Sequence, residues 1–178
     1  MMREEDIFCV KLDVSGKFSE LTPMIAFEVV LTKAQDRASH PFYDSLSVEA
    51  FYDEEHDILI YHSRSKSGKD DKWLGISIEN YPLKKEFDTR SDILPLNYTA
   101  EDIKALLYRK LPSRTGACIS PYCIIKGENI KSSEKNSCEF VIAYGNSYED
   151  ILRKYALIRK NTGKSISSFF ASSMYSLS

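Results

Sequence analysis

The stretch TPMIAFEVVLTKAQDR, residues 22–37, decides the fold, because its pattern fits both a helix and a strand. Thr22 followed by Pro23 is a good helix start, an N-cap residue with a proline in the first turn. From Ile25 onward, however, the apolar residues alternate as in a strand, and FEVVLT is rich in residues that favour β-structure. We predict a strand over residues 24–32 and keep the helix as the alternative.

Alternating or uniformly apolar segments predict the remaining strands. They cover residues 7–14, 46–52, 57–64, 73–80, 116–125 and 138–144. The second, third and fourth of these segments predict an antiparallel meander, because polar connections join them. Pro121 in the fifth segment favours an edge position or a bulge, since proline donates no backbone hydrogen bond. We predict an irregular connection over residues 82–98.

Two helices have clear start signals. Thr99 is an N-cap with Asp102 at the reciprocal capping position, and this helix should stop at Pro112. A second helix is predicted to begin near Ser147 and to bury an apolar stripe. Apolar residues within 165–178 fall on one helical face, which predicts a short helix docking on the domain. An exposed peptide for a partner and a delivery signal are the alternatives for that segment.

These elements predict an α+β fold: a mainly antiparallel, curved sheet of six or seven strands with two firm helices and a short C-terminal helix. If residues 22–37 were helical, the order would become β-α-β-β-β-α-β-β-α(α), with the short terminal helix in parentheses, and one face of the sheet would be covered. A length of 178 residues is typical of one domain. We therefore expect a single globular domain over residues 1–178.

The composition narrows the range of partners. A net charge of −2 gives no reason to expect a nucleic-acid partner, since such proteins usually carry a basic excess. No apolar run is long enough for a membrane span or for an N-terminal signal. We expect the four cysteines to be reduced thiols in the cytoplasm, or in a host cytoplasm reached by a non-classical route.

Charge is distributed unevenly along the chain. Residues 1–100 contain 12 Lys and Arg against 19 Asp and Glu, whereas residues 101–178 contain 12 against 7. Two interpretations are open: the two halves pack together with their charges solvated, or the basic half presents a face to an acidic protein partner. The predicted partner-binding residues of that basic face are Arg153, Lys154, Arg159, Lys160 and Lys164.

The tripeptide Gly163-Lys164-Ser165 resembles the end of a phosphate-binding P-loop, but its context is wrong. That loop begins with a glycine five residues before the second glycine, and here the position is Ile158. The preceding element is predicted as a helix, whereas the loop follows a strand. We instead predict that Gly163 ends this helix with a positive φ. No cofactor is expected.

Cysteine and histidine supply the remaining candidate chemistry. Cys118 follows a predicted turn, and His62 and His40 are candidate bases for a thiolate nucleophile. Cys118, Cys123 and Cys138 lack the closely spaced pairs of structural zinc sites, so no metal is expected. Aromatic residues make up 12% of the chain, and most are expected in the core.

Two functions remain as hypotheses. The first is a non-catalytic protein-interaction domain, an effector-like or adaptor protein that acts through its basic C-terminal face. The alternative is a small cysteine-dependent hydrolase or transferase that uses Cys118 with His62 or His40. We favour the first, because every catalytic pattern tested is incomplete. Neither a substrate nor a specific partner can be inferred from the sequence.

Overall fold

A computed structural model of the chain describes residues 6–16, 20–31, 48–64, 71–79, 85–95, 97–117, 121–129 and 135–160. These residues form nine strands, two α-helices and a 3₁₀ turn at Ser91–Ile93. The strands are β1 (Ile7–Ser15), β2 (Met24–Glu28), β3 (Val48–Asp53), β4 (Ile58–Ser63), β5 (Lys72–Glu79), β6 (Lys85–Arg90), β7 (Gly116–Ala117), β8 (Pro121–Gly127) and β9 (Lys135–Gly145). The helices are α1 (Ala100–Tyr108) and α2 (Tyr148–Lys160).

The strands are divided between two antiparallel sheets. A six-stranded sheet has the order β1-β9-β5-β4-β3-β7, and a three-stranded sheet has the order β2-β8-β6. The α+β class with mainly antiparallel strands is therefore confirmed, as is the meander formed by β3, β4 and β5. The structure differs from the prediction in having two sheets rather than one curved sheet.

The stretch that decides the fold contains a strand, which is shorter than the predicted 24–32. β2 pairs with β8 over its whole length, which confirms the strand interpretation for Met24–Glu28. Ile25 and Phe27 pack between the two sheets, whereas Met24 and Ala26 pack beneath α1. Both faces of β2 therefore contact apolar groups, because Met24 and Ala26 add a second apolar face to that of the alternating Ile25 and Phe27. Residues 32–47 lie outside the described part of the chain.

The main core lies between the two sheets. Side chains of β3, β4, β5 and β9 face those of β2, β6 and β8 across it. Its buried members are Val29, Val48, Ala50, Leu59, Tyr61, Ile76, Ile78, Phe87, Cys123, Ile125, Cys138 and Phe140. Because alternate residues of each strand point into this layer, the intervening residues form the two outer faces.

A helix covers each outer face. α2 packs Ile151, Tyr155 and Ile158 on the six-stranded sheet. Gly75 of β5 lies directly under α2, where an added Cβ would come within 2.7 Å of the Ile151 Cγ2. α1 and its neighbouring loops pack on the three-stranded sheet through Leu106 and other leucines. The order of layers is α2, six-stranded sheet, three-stranded sheet, α1.

Strand β6 was predicted as part of an irregular connection, and that prediction was wrong. Its sequence, KEFDTR, is mostly polar. It can nevertheless form a strand within the fold, because both of its acidic side chains are paired with basic side chains. Glu86 pairs with Lys126 and Asp88 pairs with Arg114. A register irregularity between Asp88 and Arg90 lies opposite Pro121, the first residue of β8. The predicted edge position for Pro121 was wrong, because β8 is the central strand of its sheet.

The two predicted helices are confirmed, and α1 has its full capping box between Thr99 and Asp102. The α1 helix ends at Tyr108, before Pro112, and the Lys126 ammonium binds the carbonyl oxygens of Leu106, Leu107 and Arg109 at this end. The predicted C-terminal helix within 165–178 and the predicted φ of Gly163 lie outside the described residues. In the described part of the chain, neither helix combines the length and the apolar character that crossing a membrane requires.

Candidate functional site

Three aromatic side chains form a surface on the outer face of the six-stranded sheet, next to the start of α2. Phe51 contacts Trp73 edge-on, with ring centroids 6.4 Å apart. Tyr148 lies 6.0 Å from Phe51 and 5.9 Å from Trp73. We call Phe51, Trp73 and Tyr148 the aromatic surface. Phe51 is exposed, and the other two are half-buried.

The strand pattern explains why these rings lie outside the core. On β3, Val48 and Ala50 point between the sheets, so Phe51 points to the outer face. α2 covers this outer face from Ile151 onward. Tyr148 is the first residue of α2, and the helix therefore begins at the edge of the aromatic surface rather than covering it.

One histidine–aspartate pair lies on Trp73. The imidazole of His62 stacks on the Trp73 ring with centroids 3.8 Å apart and an interplanar angle of 11°. Its Nε2 lies 3.0 Å from the Asp71 carboxylate. His62 is buried by this stack, so its position is fixed by Trp73 and Asp71 together.

A second histidine–aspartate pair lies on the Tyr148 side. The Asp53 carboxylate lies 2.7 Å from His56 Nδ1 and accepts hydrogen bonds from the His56 backbone N–H and the Tyr148 hydroxyl. Burial raises the pKa of Asp53, but these hydrogen bonds outweigh it and hold that pKa below its ordinary value. The hydrogen bond to Asp53 and, to a smaller extent, burial raise the pKa of Tyr148 to about 12.

This arrangement predicts an acid-dependent contribution to stability. The lowered pKa of Asp53 means that its stabilisation is complete above the ordinary pKa of about 3.9 and is lost as the pH falls through the folded-state value. Asp53→Asn should therefore be less stable than the wild type at pH 7, and the difference should shrink on acidification. Urea unfolding at several pH values measures it. A difference that stays constant down to the acid transition would contradict this role of Asp53.

Several carboxylates lie near the aromatic surface. The charges of Asp53, Glu55 and Glu149 all contribute to the raised pKa of Tyr148, which places these carboxylates within electrostatic range of its ring. Glu54, Glu55 and Glu149 are exposed. The site thus combines apolar ring area with carboxylates at its border.

Not all residues of the predicted basic face are accessible on the surface. Lys154 is 1% exposed, and its ammonium lies 3.1 Å from both the Asp6 and the Asp150 carboxylates. It also donates to the Tyr144 carbonyl oxygen. This interior position removes Lys154 from the predicted partner-binding face, because its side chain is not accessible to a partner.

Arg159 is also engaged within the chain. Its guanidinium donates to both carboxylate oxygens of Glu79, at 3.0 and 2.6 Å, and to the His56 carbonyl oxygen at 2.6 Å. Arg153 and Lys160 are exposed, and Arg153 pairs with Asp150 one turn away. Lys164 lies outside the described residues. The predicted basic face is therefore reduced to two exposed cations in the part of the chain that the structure describes.

The predicted Cys118–His62 pair is only half described, because Cys118 and His40 lie outside the described residues. The strand residue before Cys118, Ala117, pairs with Glu49 of β3, and Glu49 pairs with His62 of β4. The chain segment that leads to Cys118 is therefore two strands away from His62. A cysteine-dependent reaction remains a hypothesis.

The other three cysteines are poor nucleophiles. Burial, reinforced by neighbouring carboxylates, raises the pKa of Cys9 and of Cys138 to about 11. Full burial also raises the pKa of Cys123. All three should stay protonated near neutral pH, where the thiol is much less nucleophilic than the thiolate.

The raised pKa values of Cys9, Cys123 and Cys138 predict how the thiols react with an alkylating reagent as the pH is varied. We expect the Cys118→Ser variant to show no thiol with an apparent pKa below about 7.5 when alkylation is measured against pH. A low-pKa thiol present in the wild type and absent from this variant would support the cysteine-enzyme hypothesis. A low-pKa thiol that persists in the variant would contradict the burial of the other three.

The sequence analysis named His62 as a candidate base for Cys118, and it did not associate His62 with Trp73 or Asp71. Phe51 and Trp73 lie in strands and were expected in the core, and Tyr148 was assigned to a buried helical stripe. The pairing of β3, β4 and β5 brings Phe51, His62 and Trp73 together, and the packing of α2 on this sheet adds Tyr148. Within the described ranges, no group of three or more His, Cys, Asp or Glu side chains could hold a metal ion.

No protein-family model matches the chain, and a search of curated proteins finds no significant match. The chemistry of the aromatic surface and its neighbours is therefore the basis on which a function can be inferred.

Proposed function

We propose that this chain is a protein-interaction domain that binds a basic segment of a partner protein on the aromatic surface. The observation that carries the proposal is the exposed Phe51 ring next to Trp73 and Tyr148, bordered by carboxylates. Aromatic rings supply contact area at a low entropic cost and are enriched at protein interfaces. Arginine and lysine are attracted to ring faces, and carboxylates strengthen that attraction.

The rigidity of the site supports a binding role. Trp73 is held by its stack with His62, and Tyr148 is held by its hydrogen bond to Asp53. Anchored rings lose little conformational freedom when a partner binds, so more of the interaction energy contributes to affinity. The free thiols of Cys9, Cys123 and Cys138 fit a reducing compartment, and we place the interaction in the cytoplasm.

A peptide library with a fixed central residue tests this function. Peptides with central arginine or lysine should bind, and those with central glutamate should not, because the border of the aromatic surface is acidic. Selection of acidic peptides would instead support the basic face of Arg153 and Lys160. Failure to enrich any basic sequence would contradict the proposed site.

The aromatic surface should contribute most of the affinity for such peptides. We expect Phe51→Ala to weaken binding by about tenfold or more, which is typical of an aromatic anchor at an interface. Tyr108→Ala is the matched control, since Tyr108 is a 78% exposed aromatic residue of α1 on the opposite side of the two sheets. Isothermal calorimetry measures both. Equal effects of the two variants would contradict the role of Phe51.

A further inference from the structure

Strand β1 presents an open edge with apolar side chains. It is the terminal strand of the six-stranded sheet, and no other described strand pairs with its outer side. Phe8, Val10 and Leu12 are 61%, 39% and 37% exposed. Long edge strands with apolar side chains are sites for pairing with another strand, because their outward backbone groups lack a sheet partner.

The charges of β1 indicate which strand fits. Lys11 and Asp13 are two residues apart, so both point to the same face of the sheet, opposite to Leu12. They form an ion pair with each other at 3.1 Å and are both accessible to solvent. An antiparallel strand with the reverse order of charges would place a carboxylate opposite Lys11 and an ammonium opposite Asp13.

We propose that two copies of this chain associate through antiparallel pairing of their β1 strands, centred on Leu12. In this register Lys11 of each copy faces Asp13 of the other, and Leu12 faces Leu12. Val10 then faces Val14, and Phe8 lies diagonally across from Val14. The two six-stranded sheets would join into one continuous sheet around a two-fold axis.

The charges disfavour the neighbouring registers that keep the same faces aligned. Centring on Lys11 would place the two Lys11 ammonium groups opposite each other, which is destabilising. Centring on Val10 would place Asp13 opposite the apolar Ile7 and leave Lys11 opposite Cys9. Only the register centred on Leu12 gives both charges a cross-strand partner of opposite sign. This inference is independent of the proposed function, because it uses a different surface.

Charge-reversal variants test the pairing. Lys11→Glu alone and Asp13→Lys alone should each weaken self-association by about tenfold or more, since both cross-strand pairs become repulsive. A mixture of the two single variants should form a heterodimer, because every cross-strand pair is then attractive. The ion pair within one chain cannot produce this rescue. Sedimentation equilibrium from micromolar to millimolar concentrations measures all three samples.

Folding is checked separately by circular dichroism. Lys11 lies opposite the buried Glu139 of β9. Lys11→Glu would place two carboxylates opposite each other within one chain, so this variant is the one whose folding needs the closer check. Asp13 lies opposite Ser137, and Asp13→Lys therefore provides an independent test of the same pairing. A wild type that stays monomeric at millimolar concentration would overturn the proposal. So would a dimer whose affinity neither single variant changes.

Discussion

Replacing Lys154 with methionine is expected to lower the free energy of unfolding by about 3 kcal/mol, as is typical when one partner of a buried ion pair is removed. Lys154 is 1% exposed and joins Asp6, before β1, to Asp150 in α2. Methionine has a similar length and preserves most of the packing. The loss of stability arises because the Asp6 and Asp150 carboxylates and the Tyr144 carbonyl oxygen no longer share the Lys154 ammonium as a hydrogen-bond donor.

Arg153→Met is the matched control for this prediction. Arg153 is the adjacent residue of α2, also carries one positive charge and pairs with the same Asp150, but its side chain is 65% exposed. Its replacement should change stability by about 0.5 kcal/mol or less. Urea unfolding of both variants measures the difference. Equal losses would contradict the internal role of Lys154 and would favour an exposed position for it.

Replacing Arg114 with methionine should have an equally large effect. Asp88 of β6 is 0% exposed at its side chain, and the Arg114 guanidinium donates to both of its oxygens. Without Arg114, this buried carboxylate would keep only the Thr89 backbone N–H among its observed donors. We expect a loss of about 3–5 kcal/mol, the usual range for an uncompensated buried charge.

A double-mutant cycle separates this charge effect from lost packing. Asp88→Asn added to Arg114→Met removes the unpaired charge, so the double variant should be more stable than Arg114→Met alone. Arg109→Met, at an exposed arginine just after α1, should be nearly neutral. If adding Asp88→Asn brings no recovery, the Asp88–Arg114 pair is not the source of the loss.

Pairs of this kind explain the uneven charge of the sequence. In the described structure, four basic residues from the C-terminal half contact five acidic residues from the N-terminal half. Arg114 pairs with Asp88 and Asp92, and the other pairs are Lys126–Glu86, Lys154–Asp6 and Arg159–Glu79. The excess charges of the two halves are thus partly neutralised within the fold. A basic face for a partner is therefore not needed to explain the asymmetry.

Local sequence signals were sufficient for most individual elements. The Thr99 capping box and the apolar stripe beginning at Tyr148 depend only on neighbouring residues, and both helices begin close to their predicted first residues. The same holds for the meander, since short-range alternation determines which residues of a strand share a face. The strand interpretation of Met24–Glu28 was confirmed for the same reason.

Features that depend on distant partners were not predictable. The charged residues of β6 have the composition of a loop until Lys126 and Arg114 pair with them. The division into two sheets depends on the pairing of β8 with β2 and β6, which no local pattern specifies. Likewise, Phe51 and Trp73 have the pattern of core residues, and only the extent of α2 leaves them uncovered.

The emission of Trp73 provides the most direct measurement of binding at the aromatic surface. Trp73 is the only tryptophan of the chain, so its fluorescence reports on this site alone. During titration with a tryptophan-free basic peptide selected from the library, the emission of Trp73 should shift until the site is saturated. In the Phe51→Ala variant, a higher peptide concentration should be needed for the same shift. A selected peptide that binds by calorimetry but leaves Trp73 emission unchanged would contradict binding at the aromatic surface.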